Sequence, residues 1–325
     1  MADHADDGGD DDVFIYMGGD QRVPWDVTHV RVHKSVKIIR ARAFQHYTNL
    51  VSIEMHDGVE IIKYRAFFGC RSLREIKLIG VKVIEYMAFY GCTALENVEF
   101  GDKLETIGES AFQSTSLRSI KLPKVWIIGT GAFQHCDKLT DAELSEDLGR
   151  IRGGAFRRCP RLRRISIPLK ANLLGGNDVV FNNCDELSQV DLIGGIHKTI
   201  SSLLLDSWRH EMNDEIDSIN RDLPSTPSNE KTEEIRRWMG SVVDRIEHYK
   251  SEHYALLKEF MTLLELALWK AKLEEFEEAL SEEDNEVDRT NTAAKISIQT
   301  ARQDKRITSG ANVVIKNVLP FLKLE

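Results

Sequence analysis

The sequence predicts an α+β protein: a solenoid of about seven repeats of 21–25 residues, followed by a helical hairpin or coiled-coil region. Three observations predict it. An Ala-Phe dipeptide recurs at Phe44, Phe67, Phe89, Phe112, Phe133 and Phe156, with Val-Phe at Phe181, at intervals of 23, 22, 23, 21, 23 and 25 residues. Aliphatic residues stand at near-fixed phases around each of these phenylalanines. After about Gly195 the period changes to the three-and-four spacing of an amphipathic helix.

Each repeat is built the same way. An aliphatic residue precedes the Phe: Ile39, Ile62, Ile84, Ile107, Ile128 or Ile151. Three residues after the Phe comes Tyr47, Cys70, Cys92, Thr115, Cys136, Cys159 or Cys184, and three further on comes Leu50, Leu73, Leu95, Leu117, Leu139, Leu162 or Leu187. That leucine opens a strand signature such as Leu73, Ile76, Leu78 or Leu117, Ile120, Leu122. A unit of two short extended pieces and a compact turn cannot bury its apolar side alone. Neighbours therefore stack, and equivalent positions form continuous internal rows. Val13 to Met17, followed by Val27, Val30 and Val32 in strand phase, reads as an N-terminal cap. The helical region from near Thr199 is placed to cover the other open end.

The unit I-x-x-x-A-F-x-x-C-x-x-L-x-x-I-x-L resembles the BspA-type leucine-rich repeat over about residues 27–192. The whole chain, including GGIHKTISSLLLDSWRHEMN and SGANVVIKNVLPFLKL, resembles a set of diatom leucine-rich-repeat proteins with a helical C-terminal region. The resemblance implies a right-handed solenoid and protein recognition. Tyr47 and Thr115 depart from it by replacing Cys, and the repeat around Gly175 and Gly176 carries an insertion.

Length and composition agree with two structural units: 325 residues with 42% hydrophobic content supply a sizeable core. The expected organisation is an acidic tail over 1–12, the capped solenoid over 13–198 and the helical region over 199–325. The tail, with six aspartates and no apolar run, predicts disorder. No secretory signal is legible and no stretch is apolar enough for a membrane span, so the expected location is cytoplasmic or nuclear. In a reducing compartment the five cysteines, spaced by the repeat, are expected to be buried free thiols. They lack the close pairs or histidine partners of a zinc site, and no cofactor is expected.

Strand alternation points one residue of each long strand outward: Arg31, Glu54, Lys77, Glu99, Lys121, Glu143, Ser166 and Asp191, of which the first six alternate in sign. Side by side in a parallel ladder, opposite charges settle the sheet. They also argue against nucleic acid as a ligand of this face. The second outward column is Lys37, Glu60, Lys82, Glu105, Trp126 and Gly149, where Trp126 is the one large aromatic. It is either a partner contact or a docking point for the C-terminal helices, and the second is favoured. One repeat carries a basic collar: Arg150, Arg152, Arg157, Arg158, Arg161, Arg163 and Arg164. A solvated surface accounts for such a run. The functional alternative is recognition of an acidic or phosphorylated protein partner. Trp126, Arg150, Arg152, Arg157, Arg158, Arg161 and Arg164 are the candidate partner-binding residues.

In the C-terminal region Leu205, Trp208, Met212, Ile216, Ile219 and Leu223 mark a first helix of about two dozen residues, ended by Pro224 and Pro227. A second helix of about fifty residues carries the seam Ile235, Met239, Val242, Ile246, Tyr249, His253, Leu256, Phe260, Leu263, Ala267 and Lys270. His253 on this seam reads as a packed residue. A hairpin with the shorter helix leaves the far half of the long one uncovered. The third segment, Val287 to about Arg306, the closing NVVIKNVLPFL, the solenoid and a second copy through residues 235–270 are the available covers. No phosphate loop, metal-binding box or nucleophile motif is present. His197, Ser201, Ser202 and Asp206 sit together on a short stretch that reads as the solenoid-to-helix junction. The expectation is a non-catalytic protein-protein interaction scaffold. The alternative is a structural oligomeriser acting through the coiled coil.

Overall fold

The structure, a computed structural model, describes residues 13–170, 172–175, 179–203 and 205–283, with side chains to Glu275. The acidic tail, the segment from Val287 and the closing apolar stretch lie outside the described residues. The fold is the predicted solenoid with a helical C-terminal region.

Two parallel ladders run along the solenoid. The longer strands are β1 (Val13–Tyr16), β2 (His29–Val32), β4 (Ser52–Glu54), β6 (Glu75–Leu78), β8 (Asn97–Phe100), β10 (Ser119–Lys121), β12 (Asp141–Glu143), β14 (Arg164–Pro168) and β15 (Gln189–Ile193). They form three consecutive sheets, β1-β2-β4, β6-β8 and β10-β12-β14-β15. The two-residue strands β3 (Ile38–Ile39), β5 (Ile61–Ile62), β7 (Val83–Ile84), β9 (Thr106–Ile107), β11 (Ile127–Ile128) and β13 (Arg150–Ile151) make one continuous sheet. Every pairing is in register by repeat, as in Ile76↔Val98 and Ile128↔Ile151.

The third side is a turn with its own hydrogen-bond ladder. The Phe44, Phe67, Phe89 and Phe112 amides donate to the carbonyls of Ala66, Ala88, Ala111 and Ala132 at 2.7–2.8 Å. Two residues per turn, two before and two after the Phe, adopt the left-handed region: Arg42 and His46, Arg65 and Gly69, Met87 and Gly91, Ser110 and Ser114. This pair of left-handed residues makes the sharp corner that the small residue before each Phe also serves.

The phenylalanines form the predicted row. Phe44 through Phe181 are all fully buried, with neighbouring rings 5.0–5.9 Å apart and within 15° of parallel. Tyr16 of β1 closes the N-terminal end of this row edge-on, 5.0 Å from Phe44. The cysteine ladder does more than fill space. The thiols of Cys70, Cys92, Cys136, Cys159 and Cys184 donate to the carbonyls of Phe44, Phe67, Phe112, Phe133 and Phe156 at 3.0–3.3 Å. Each cysteine thus ties its turn to the preceding one, while Tyr47 instead bonds the Val23 carbonyl of the N-terminal cap. Thr115 bonds within its own turn, to the Phe112 carbonyl.

All five thiols are buried and free. Burial pushes Cys92 and Cys159 upward, and Cys184 up to about 12. An unfolded thiol ionises near ~8.5, so these groups favour the folded state below that value, and their contribution fades as pH rises toward 12. The expected result is that the native protein resists iodoacetamide at pH ~8.5 while the urea-unfolded chain is alkylated at every cysteine, read by intact mass. Rapid native labelling of Cys92 or Cys184 would contradict this packing.

Beyond β15 come α1 (Ile196–Ser201), α2 (Asp206–Asp222) and α3 (Lys231–Glu283). The predicted first helix is therefore two, α1 ending at Ser201 and α2 starting at Asp206. The continuous apolar run Leu203 to Leu205 keeps no phase by which the break can be seen in sequence. Ser201 bonds its hydroxyl back to the His197 carbonyl, and Asp206 holds Arg209, so the His197, Ser201, Asp206 cluster makes junction contacts.

The chain divides into two compact units, the first running through Ser201 and continuing over Leu205–Ile246. Within it, α2 and the start of α3 form an antiparallel pair: the Trp238 indole donates to the Glu215 carbonyl at 2.9 Å, and Ser241 donates to the Glu215 carboxylate at 2.6 Å. This pair seals the last repeat. Asn220 accepts from the Val190 amide of β15, Thr232 accepts from the Phe181 amide, and buried Lys231 donates to the carbonyls of Asp185 and Leu187. A final strand with unpaired amides is an edge open to another chain, and here polar side chains occupy part of it. The second unit contains Ser202–Leu204 and the chain from Glu247. On α3 the seam is buried through Tyr249 and His253, after which Phe260 is 71% exposed and Leu263, Leu266, Trp269 and Leu273 are more than half exposed.

Candidate protein-binding surfaces

The outward column of the long strands neutralises itself. Arg31 pairs with Glu54 at 2.6 Å, Lys77 with Glu99 at 3.3 Å and Lys121 with Glu143 at 3.0 Å, each pair coming from adjacent rungs. In the second column Lys82 pairs with Glu60 at 3.1 Å. Another such network joins Arg118 and Lys138 to Glu96, whose carboxyl is held below the usual range by hydrogen bonds from Lys138 and Arg118. Exposed pairs of this kind contribute little stability singly. They remove net field from the face and leave it with no bias toward a charged ligand.

The arginines of the sixth repeat wrap three sides of one turn. Arg150 lies in β13, Arg164 in β14, and Arg157, Arg158 and Arg161 on and after the turn between them. Two of the run are neutralised: Arg163 pairs with Glu186 at 2.7 Å, and Arg164 pairs with Asp191, which raises the Arg164 pKa through their hydrogen bond. Arg158 lies 3.3 Å from a ring nitrogen of His135. Among the described residues Arg150, Arg152, Arg157 and Arg161 have no carboxylate partner, and all four are exposed. The candidate residues thus make a ring around the solenoid, with its unneutralised part toward the short strands and the turn.

Trp126 is 59% exposed, so within the first unit α1, α2 and the start of α3 do not cover it as expected. Its indole lies across Gly149 of the next rung, where an added Cβ would stand 2.8 Å from its ring nitrogen. The helices seal the last rungs at β15 instead, because their polar side chains find unpaired backbone there.

Sequence reasoning missed one surface. On the turns of the first three repeats, Tyr64 stacks on Tyr86 at 6.4 Å and Phe68 on Tyr90 at 5.0 Å, while His46 meets Phe68 edge-on. Arg42 lies 5.0 Å over the Tyr64 ring, and Arg65 lies within 5.3–6.0 Å of Phe68, Tyr64 and Tyr86. The signal was present in KYRAFF and EYMAFY, where aromatics stand three before and one after the row Phe in consecutive repeats.

Among the described residues no cluster of His, Cys, Asp or Glu has the makings of a metal site. No helix among them is long and apolar enough to cross a membrane.

Stacked parallel rungs, an Ala-Phe turn and an internal leucine row define a leucine-rich-repeat solenoid. The profile of the BspA type leucine rich repeat region matches residues 25–136 and 124–209, and the chain belongs to that family. Among solved structures it is similar to a leucine-rich repeat protein from Bacteroides ovatus, 25% identical over 56% of this chain and 43% of that one, with a TM-score of 0.43. It is also similar to the T. pallidum leucine rich repeat protein, 23% identical over 56% and 75% of the two chains, TM-score 0.39. A leucine rich cell surface protein from Faecalibacterium prausnitzii is 21% identical over 52% and 60%, TM-score 0.34. The chain spans less than half the length of the B. ovatus protein. Comparison with curated proteins gives no match.

Proposed function

We propose that the chain is a non-catalytic protein-interaction scaffold whose sixth repeat receives an acidic or phosphorylated segment of a partner. Family membership supports a protein-binding or adhesion role. One observation carries the choice of site: the outward ladder cations Arg31, Lys77, Lys82 and Lys121 are paired, whereas Arg150, Arg152, Arg157 and Arg161 have no carboxylate partner among the described residues. Guanidinium groups in that state bind carboxylates and phosphates in bidentate fashion. Arg158, Arg164 and exposed Trp126 flank the ring. Its test is affinity capture with the full chain against the Arg157→Glu/Arg158→Glu variant. The expected result is loss of the partner by the variant, with an unchanged melt. Retention of the same partner by the variant sinks the collar.

A second reading is favoured by the exposed apolar stretch of α3. Phe260, Leu263, Leu266 and Trp269 suit association of two copies through the exposed part of residues 235–270, with the repeats as a rigid spacer. Sedimentation of the full chain as a stable dimer, turned to monomer by Leu263→Glu/Leu266→Glu, would put this reading first; a monomer at micromolar concentration would remove it. The five thiols, all free, fit a cytoplasmic or nuclear location.

A further inference from the structure

We propose that the turn-side strip of the first three repeats, with Arg42 and Arg65 set among Tyr64, Phe68 and Tyr86, docks an acidic peptide segment of a partner protein. The strip lies three to five repeats from the turn of Phe156, or roughly 14–24 Å at ~4.8 Å per rung, so it is separate from the arginine collar.

The stacked pairs Tyr64–Tyr86 and Phe68–Tyr90 are locked ring on ring across adjacent turns. The Arg65 guanidinium is bracketed by three of these rings, and Arg42 by one. Cations held this way are planar and oriented, and Arg65 is also half-buried. Little further ordering is needed when they meet an anion.

Their charge is nevertheless not neutralised. Arg65 Nε is buried without a hydrogen-bond partner, and one terminal nitrogen donates only to the weakly accepting Met87 sulfur at 3.7 Å. Neither Arg42 nor Arg65 has a carboxylate partner among the described residues. Nearby carboxylates are committed elsewhere: Glu85 to Lys63, Glu60 to Lys82, and Asp20 to Arg40. A guanidinium buttressed by aromatic rings with free donors fits a carboxylate.

The ligand is set by the extent of the site. Arg22, His46 and the 72% exposed Trp25, which stacks on Tyr47 at 4.9 Å, continue the strip onto the N-terminal cap. The result is a short line of cations with apolar walls, long enough for several side chains of an extended acidic peptide. A nucleic acid backbone would need a longer run of uncompensated charge than the self-neutralised ladders alongside provide.

The probe is a fluorescent octaglutamate peptide carrying a photo-cross-linker, with octaglutamine as the neutral control, tested against the full chain. Wild type should bind octaglutamate and not octaglutamine, with cross-links on residues 40–90. Arg42→Gln/Arg65→Gln should weaken binding by about tenfold with an unchanged melt. Arg65→Lys, which keeps charge and loses the planar fit, should fall between. Arg157→Gln/Arg158→Gln should leave the cross-links on residues 40–90 intact. Unchanged affinity in Arg42→Gln/Arg65→Gln overturns the proposal. So do cross-links confined to residues 150–164, an outcome that leaves the collar reading standing. Binding that appears only after removal of residues 1–12 assigns the strip to the chain's own aspartate-rich segment and overturns a partner peptide.

Discussion

Replacing Phe112 by alanine is expected to remove about 3–5 kcal/mol of folding stability, the cost of deleting a large side chain from a site that cannot collapse. Phe112 stands in mid-row, 5.0 Å from Phe89 on one side and 5.5 Å from Phe133 on the other, with Phe100 edge-on at 5.5 Å. In a stacked array each repeat is stabilised by its two interfaces, and this side chain belongs to both. The backbone cannot close the gap, because the Phe112 amide is tied to the Ala132 carbonyl at 2.8 Å and the long-strand rungs fix the spacing. The same change at Phe181, whose ring has one row neighbour at 5.9 Å, should cost less. Urea unfolding of the two variants beside wild type measures both. A loss under ~1 kcal/mol at Phe112 would mean that the row is not a principal source of stability.

The second large effect is expected at Lys231→Met, which keeps the length of the side chain and removes its ammonium. Lys231 is 1% exposed at the start of α3, and its nitrogen donates to the carbonyls of Asp185 and Leu187 in the last turn. Burial pushes its pKa down, so part of the gain from those bonds is offset by lost hydration. Leaving the buried Leu187 carbonyl and the part-buried Asp185 carbonyl short of a donor should nonetheless cost about 1–3 kcal/mol. The loss should be local first. Hydrogen exchange should quicken at the Phe181 and Val190 amides, which Thr232 and Asn220 cover, while the amides of the Phe67 and Phe89 turns hold their protection. Uniform loss along the solenoid would contradict a cap role for Lys231.

The sequence carried the solenoid because its signal is repeated. The phase of Phe44 to Phe181 and the leucines behind them specify the stack, and the sign alternation from Arg31 to Glu143 anticipated the ion pairs between rungs. Features that occur once were harder to see. The break between α1 and α2 falls in an apolar run with no phase, and Trp126 gave no sign of which surface it meets. The cysteines read as small apolar residues, since nothing in a spacing shows that a thiol will face the carbonyl of the previous row Phe. The arginine collar was visible as composition, but pairing splits it, taking Arg163 and Arg164 and leaving Arg150, Arg152, Arg157 and Arg161. The turn-side strip was hidden because Tyr64, Arg65 and Phe68 gain meaning only beside Tyr86 and Tyr90 one repeat away.

The ion-pair ladder gives the stack of this solenoid a weak parity. Arg31 and Glu54, Lys77 and Glu99, Lys121 and Glu143 alternate with a period of two repeats, and the Glu60 and Lys82 column keeps the same beat. Excising the single repeat that bears Lys77 would set Glu54 beside Glu99. Excising two together would set Glu54 beside Lys121 and restore the order. Gain or loss of a single turn should therefore cost slightly more, by a few tenths of a kcal/mol for each like-charged contact it makes, than gain or loss of two.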